Sequence, residues 1–249
     1  MDNVEKYALI VDNFFYFLYN LTKRSKCVYN VIDHSKTNKR KGDIMSEFLH
    51  NDDARKNRIL EAALIEFSDK GYKKASTNTI VKEAKVSKGL LFHYFISKKE
   101  LYIYLYNFAL ETITNELYDG VNFADRDVLN RVSASTVQKI ESYSRHPLFV
   151  SLFENHVFVE DEEILQRIGE FTREIAKNSY VKIFSDIDYF FFNERININH
   201  ALEVVKWTVD RISTDWLVRH NYRYKSDSFD QLVEEINVYL DLFRDSFYK

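Results

Sequence analysis

The residues with chemistry to offer gather in one short stretch. Ser76, Thr77 and Asn78 precede one small apolar run, and Ser87, Lys88, Gly89, Leu90 and His93 surround a second, with Tyr94 and Lys98 just beyond. Hydroxyls, an amide, an ammonium and an imidazole at this spacing suit noncovalent recognition. Helix starts offer unpaired amides and a partial positive charge to phosphate. Lysine, histidine and leucine side chains on the next turn can reach base edges, thymine methyls or phosphates. Catalytic patterns are absent from the chain: no HExxH, no paired Glu/His spacing of the di-iron type, no cysteine cluster, no P-loop and no dinucleotide glycine fingerprint. No enzyme activity, metal or cofactor is expected.

Two short helices must position these residues. "ASTNTIVKEAKV" offers Ser76 as cap to a helix carrying Ile80, Val81 and Ala84. Ser87 opens the next, with Leu91 and Phe95 inward and Lys88, Leu90 and His93 on the other side. Ahead of both, "DDARKNRILEAALIEFSDKGY" places Ile59, Leu60, Ala63, Leu64 and Phe67 on one helical face, behind Asp52 or Asp53 as cap and before Gly71 as stop. "SKKE", Ser97 to Glu100, has the form of a capping box opening a fourth helix. Two short capped helices joined by a tight turn predict a helix-turn-helix.

The order and spacing of "ILEAALIEFSDKGY" followed by "STNTIVKEAKVSKGLLFHYFISKKEL" resemble the TetR family of bacterial transcriptional regulators, over about residues 55 to 101. The resemblance implies a three-helix DNA-binding head and a larger helical domain for ligand binding and dimerisation. It also implies repression relieved by a small molecule. Carried onto this sequence, Ser76 and Thr77 touch phosphate, Lys88, Gly89, Leu90 and His93 line the reading surface, and Tyr94 and Lys98 anchor the backbone. Three positions depart from the family pattern. Lys85 replaces a turn glycine, Leu90 a common threonine, and Phe92 a phosphate-binding tyrosine.

Charge divides along the chain in the same sense. The net charge is −3, yet residues 70 to 99 hold eight lysines against one acid, Glu83, or +7, so the remainder carries −10 (−3 minus +7). Composition is that of a folded protein, 45% hydrophobic and 29% charged, with no apolar run long enough for a bilayer. Five glycines and one proline leave few turn formers and favour an all-α fold. A lone cysteine, Cys27, asks for no oxidising compartment, and a cytoplasmic location is expected.

Residues 1–44 differ in texture, and two readings stand. "KGDIM" can encode a purine-rich ribosome-binding sequence before Met45, a candidate start, or the segment is a genuine amphipathic extension. The expected organisation is this extension, a helix-turn-helix head over 52–101 and a helical regulatory and dimerisation domain over 102–249. Breaks fall near Gly120, at Pro147 and around "FNERININ".

In the second domain Leu202, Val205, Val209, Ile212 and Trp216 recur at helical spacing behind Asn199 as cap, and Leu232, Ile236, Tyr239 and Phe243 continue similarly. The resemblance assigns this final pair of helices to a homodimer interface; spacing alone fits a protomer core equally. The phenylalanine-rich stretch after Pro147 offers Phe153, Asn155, His156 and Gln166 as candidate ligand contacts, against a packed aromatic core as the alternative. Expected partners are a double-stranded DNA operator, a small apolar or amphipathic effector and a second copy of the chain, with no membrane. A dimeric protein-binding module with weakened DNA recognition is the rival, motivated by Phe92 and Lys85.

Overall fold

The computed structural model describes residues 53–220 and 229–249. The proposed extension over 1–44 and the candidate start Met45 lie outside the described residues. The order is α1 (Ala54–Lys74), α2 (Thr77–Glu83), α3 (Lys88–Phe95), α4 (Lys98–Asp119), α5 (Val128–Arg145), α6 (Pro147–His156), α7 (Glu162–Phe184), a 3-10 turn (Tyr189–Phe191), α8 (Ile198–Arg219) and α9 (Phe229–Phe247). Among the described residues there is no strand, and the expected all-α fold is observed. No helix among them is long and apolar enough to cross a membrane.

The head forms because α1 presents the apolar face its spacing requires. Ile59, Leu60, Ala63, Leu64 and Phe67 are all buried and share one core with Ile80, Ala84, Leu91 and Phe95. Asp53 caps α1, accepting from the amide of Arg55 at 2.9 Å. Gly71 interrupts the helical path at φ 67°, ψ 170°, a conformation essentially reserved for glycine. A final turn then carries the chain to α2.

The body wraps this head through α4 and α6. Tyr102 and Tyr106 of α4 are fully buried, and Tyr102 meets Phe67 of α1 edge-on at 5.0 Å. Helix α6 starts at Pro147, where a missing amide costs nothing, and packs along α1. Ser68 donates to the Leu148 carbonyl at 2.8 Å, and Asn155 returns a bond to the Ser68 carbonyl at 2.7 Å. At the far end, buried Arg131 donates to the carbonyls of Phe123, Asp125, Ile183 and Ser185, stapling the loops that flank α5 and α7. Asp127 caps α5 and accepts from Arg244 and Tyr248, which pins the end of α9.

Two expectations for the body are corrected. The cap of α8 is Asn197, which accepts from the His200 amide at 3.2 Å, rather than Asn199. The nine residues assigned to a dimer face mostly point into the protomer. Leu202, Val205, Ile212, Trp216, Leu232, Ile236 and Phe243 are buried, Val209 packs against the same core, and of the set only Tyr239 is exposed. Their periodicity marks the inward side of an amphipathic helix, and sequence alone does not say which neighbour covers it.

His156 joins the end of α6 to α4. Its ring lies 4.5 Å from Tyr106 and its Nδ1 is 3.3 Å from the Tyr102 hydroxyl, and burial lowers its pKa from 6.5 to about 3. A neutral imidazole is therefore part of the folded state, while the unfolded chain takes up a proton below about pH 6.5. Stability is full above that pH and falls as pH drops toward 3, with a limiting slope of about 1.4 kcal/mol per unit. His156→Gln should flatten the loss of stability between pH 6.5 and 5, as read from denaturant midpoints; an unchanged slope would place the titrating group elsewhere.

Candidate nucleic-acid interface

Helices of seven and eight residues, α2 and α3, hold the candidate face. Both are too short to persist alone. Ile80 and Ala84 of α2 and Leu91 and Phe95 of α3 are spent on the core, which leaves the opposite sides to polar residues. Ser87 caps α3 by accepting from the Leu90 amide at 3.2 Å. Ser76 occupies the cap position of α2 without a side-chain cap bond, and its amide instead donates to the buried Glu66 carboxylate at 2.9 Å. Glu66 also holds Lys70 at 2.8 Å, so one carboxylate ties the end of α1 to the start of α2.

The turn between the helices is a Schellman closure built around Lys85. Val86 donates to the Val81 carbonyl at 3.0 Å and Lys85 to the Lys82 carbonyl at 3.2 Å, with Lys85 at φ 55°. A left-handed residue is required here, and this chain supplies a lysine where glycine would fit without strain. The departure noted in the sequence thus leaves the turn geometry intact.

The predicted contact residues fall into two groups. Asn78, Ser87, Lys88, Gly89 and His93 are exposed along one side, and Lys88 spans the two helix starts by donating to Asn78 Oδ1 at 3.1 Å. A Cβ added at Gly89 would meet only Ser87 Oγ at 3.9 Å, so the backbone there is open to close approach. Lys82 and Lys85 stand exposed on the same pair of helices. Ser76, Thr77, Leu90, Phe92, Tyr94 and Lys98 are half-buried. Phe92 and Tyr94 pack against the core, and the Tyr94 hydroxyl donates to the Asp53 carboxylate, which lowers the Asp53 pKa. Lys98 lies 4.8 Å over the Tyr72 ring, with Nζ 3.4 Å from the Lys73 carbonyl, and burial lowers its pKa. Tyr94 and Lys98 are therefore engaged within the protein as well as near the face.

Comparisons with known proteins agree with this geometry. Residues 59–105 match the profile described as bacterial regulatory proteins, tetR family. The match runs from α1 through the first turns of α4. No curated protein matches the chain. Among solved structures, a chain from Shewanella sp. PV-4 assigned to the tetR family superposes with TM-score 0.54 at 21% identity, over 78% of this chain and 98% of that one. A Mesorhizobium loti MAFF303099 chain with the same assignment gives 0.57 at 14%, over 78% and 97%. Bacillus subtilis FadR in complex with stearoyl-CoA gives 0.53 at 16%, over 72% and 96%. At these identities the likeness shows the fold alone. Among the described residues no cluster of His, Cys, Asp or Glu could hold a metal.

The head is latched to the body beside α2 and α3. Ser97 caps α4 through the Glu100 amide at 3.1 Å, but the Glu100 carboxylate does not complete the capping box. It accepts a forked pair from Arg167 of α7, at 2.5 and 2.9 Å, which lowers its pKa. Lys99 bridges Asp161 and Glu163 at 3.1 and 2.6 Å. These pairs were invisible in the sequence because their partners lie more than sixty positions apart.

The body holds a cavity of about 280 Å³ between α4, α5, α7, α8 and the start of α9. Its lining includes Leu110, Ile113, Tyr143, Thr172, Ala176, Tyr180, Ile183, Lys206 and Trp216. The four residues proposed as ligand contacts do not line it. Phe153 is buried, Asn155 bonds α1, His156 meets Tyr102 and Tyr106 of α4, and Gln166 is bonded to Glu170. The missed signal was the helical spacing of Thr172, Ala176, Ser179, Tyr180 and Ile183 on α7, a face that looks like ordinary core in sequence.

Lys85→Gly tests the strained turn. Relief of about 1–2 kcal/mol of left-handed strain, less the extra chain entropy of glycine of about 0.5–1 kcal/mol, should leave a gain near 0.5–1 kcal/mol in denaturant unfolding. A loss of stability would mean that the lysine side chain itself holds the turn.

Proposed function

We propose that this protein is a homodimeric transcriptional repressor whose α2–α3 face binds a palindromic operator, and that a small ligand in the body cavity releases it. In this reading residues 52–101 form the DNA-binding unit and residues 102–249 the regulatory and dimerisation unit. The carrying observation is the contiguous exposure of Asn78, Ser87, Lys88, Gly89 and His93 on helices whose other sides are core. Ser76, Thr77, Asn78 and Ser87 at the helix starts suit phosphate. Lys88, Leu90 and His93 suit base edges, and Gly89 admits the duplex backbone. Phe92, Tyr94 and Lys98 serve mainly to hold α3 and the first turn of α4 in place, and Lys98 adds positive charge at the rim.

A second copy would cover the outward stripe of the last two helices. Val204, Trp207 and Val218 on α8, with Val238, Tyr239 and Leu242 on α9, are exposed large apolar residues; Trp207 is 45% and Val238 66% exposed. This stripe replaces the buried residues named from the sequence. A two-fold pairing would present two heads to two half-sites.

Release would run through α7. The helix lines the cavity from Thr172 onward and, one to two turns earlier, grips the first turn of α4 by Arg167 and Glu100. The structural neighbour with stearoyl-CoA supports ligand binding in a body of this fold. A coupling of about 1–3 kcal/mol would change operator occupancy several-fold or more.

Duplex fragments selected from the source genome provide the test. Affinity should fall steeply with salt, by about 0.9 log units per log unit of salt for each neutralised phosphate. Gly89→Ala should keep or raise thermal stability while weakening binding, and His93→Ala should change the bound sequence. Salt-independent or absent binding would favour the protein-interaction reading. In sedimentation, Trp207→Glu should give monomers that bind the selected duplex weakly; an unaltered dimer would remove the α8–α9 stripe from the interface.

A further inference from the structure

The residue that joins α3 to α4 is held in a conformation it resists. Ile96 has φ 60° and ψ −48°, and the Ser97 amide donates back across it to the Phe95 carbonyl at 2.5 Å. That is a γ-turn of the rare, strained kind, which glycine enters freely and a β-branched residue does not. Nothing within the fold offsets this strain. Ile96 is 80% exposed, so its side chain gains almost nothing from packing, and the turn is closed by backbone groups that glycine would also supply. A single exposed apolar residue is ordinary on a protein surface. One that also holds a strained backbone, with no compensating contact inside the protein, points to a contact outside it.

The position indicates the partner. The Ile96 amide still donates to the Phe92 carbonyl at 3.0 Å, which keeps its Cα in the helical row of Gly89 and His93, both exposed. Helix α3 carries no acid, its first residue is the exposed Lys88, and Lys98 opens the helix that follows the turn. An apolar tip set between a histidine and a lysine suits a surface that alternates anionic and apolar groups. A duplex backbone is such a surface, with phosphates separated by the carbon faces of deoxyribose.

We infer that Ile96 is an apolar contact to the duplex, seated on backbone deoxyribose, where it positions α3 without reading sequence. This deepens the proposed function and rests on the α2–α3 face meeting DNA. The strain of the turn is then offset in the complex, by apolar surface that only the duplex covers.

Ile96→Val and Ile96→Thr share one shape and keep the β-branched strain, and they differ only in a methyl against a hydroxyl. The full-length protein is titrated with a duplex selected by the wild type and with a scrambled duplex of equal length. The valine variant should bind both within about twofold of the wild type, and the threonine variant about fivefold more weakly on both. Its salt slope should be unchanged, because no phosphate contact is lost. Ile96→Gly should raise the denaturant midpoint and yet bind about tenfold more weakly. Equal binding by the valine and threonine variants overturns the contact, as does a glycine variant that binds as tightly as the wild type. A lowered midpoint for the glycine variant shows the side chain serving the fold and overturns it too. A threonine loss confined to the selected duplex overturns the deoxyribose contact in favour of a base. A wild type that binds neither duplex removes the DNA reading and the inference together, which separates that failure from loss of the Ile96 contact alone.

Discussion

The whole arrangement depends on α1 lending its core to two helices that cannot stand alone. Seven and eight residues provide too few backbone bonds to offset the cost of nucleation, so α2 and α3 exist because Ile80, Ala84, Leu91 and Phe95 are buried against Ile59, Leu60 and Phe67. Burial of one side fixes the orientation of the other. Lys88, Gly89 and His93 face outward because Leu91 and Phe95 face inward. Glu66, the Schellman closure at Lys85 and the cap at Ser87 then set the angle between the two helices, each through hydrogen bonds that a changed turn would break.

The same economy links head to body. Helix α4 begins with lysines beside the candidate interface and continues into the cavity wall, and α7 meets it at both places. The Glu100–Arg167 fork is half-exposed, so its net stabilisation is small, yet its two-point geometry fixes how the first turn of α4 sits on α7. In the proposed release, a change in cavity filling would move the rim of the candidate interface without unfolding it. In the proposed complex Asp161 and Glu163 would compete for Lys99 with an approaching phosphate backbone.

Local signals made the head legible in the sequence. Apolar spacing in α1, the serine caps and the break before Val86 each report on bonds within a few residues, and the helices formed where those signals fell. Gly120, Pro147 and the turn before α8 marked body breaks for the same reason. What could not be seen was the identity of distant partners. The stripe from Leu202 to Trp216 is amphipathic whether α9, α7 or another chain covers it, and the structure covers it within the protomer. The candidate ligand contacts are similar: Asn155 and His156 are polar exceptions in an aromatic run, and in the structure they bond α1 and Tyr102 away from the cavity. Lys85 was recognisable as a departure, and its positive φ shows the turn accepting strain in place of a new geometry.

The central claim is that the exposed side of α2 and α3 meets the duplex. Lysine acetylation mapped by mass spectrometry, with and without a saturating selected duplex, tests it at the residues concerned. Lys82, Lys85 and Lys88 should become protected, with Lys88 protected most strongly, while exposed Lys177 and Lys182 on α7 keep their reactivity. A Lys88 that remains fully reactive when the duplex is bound would contradict the account.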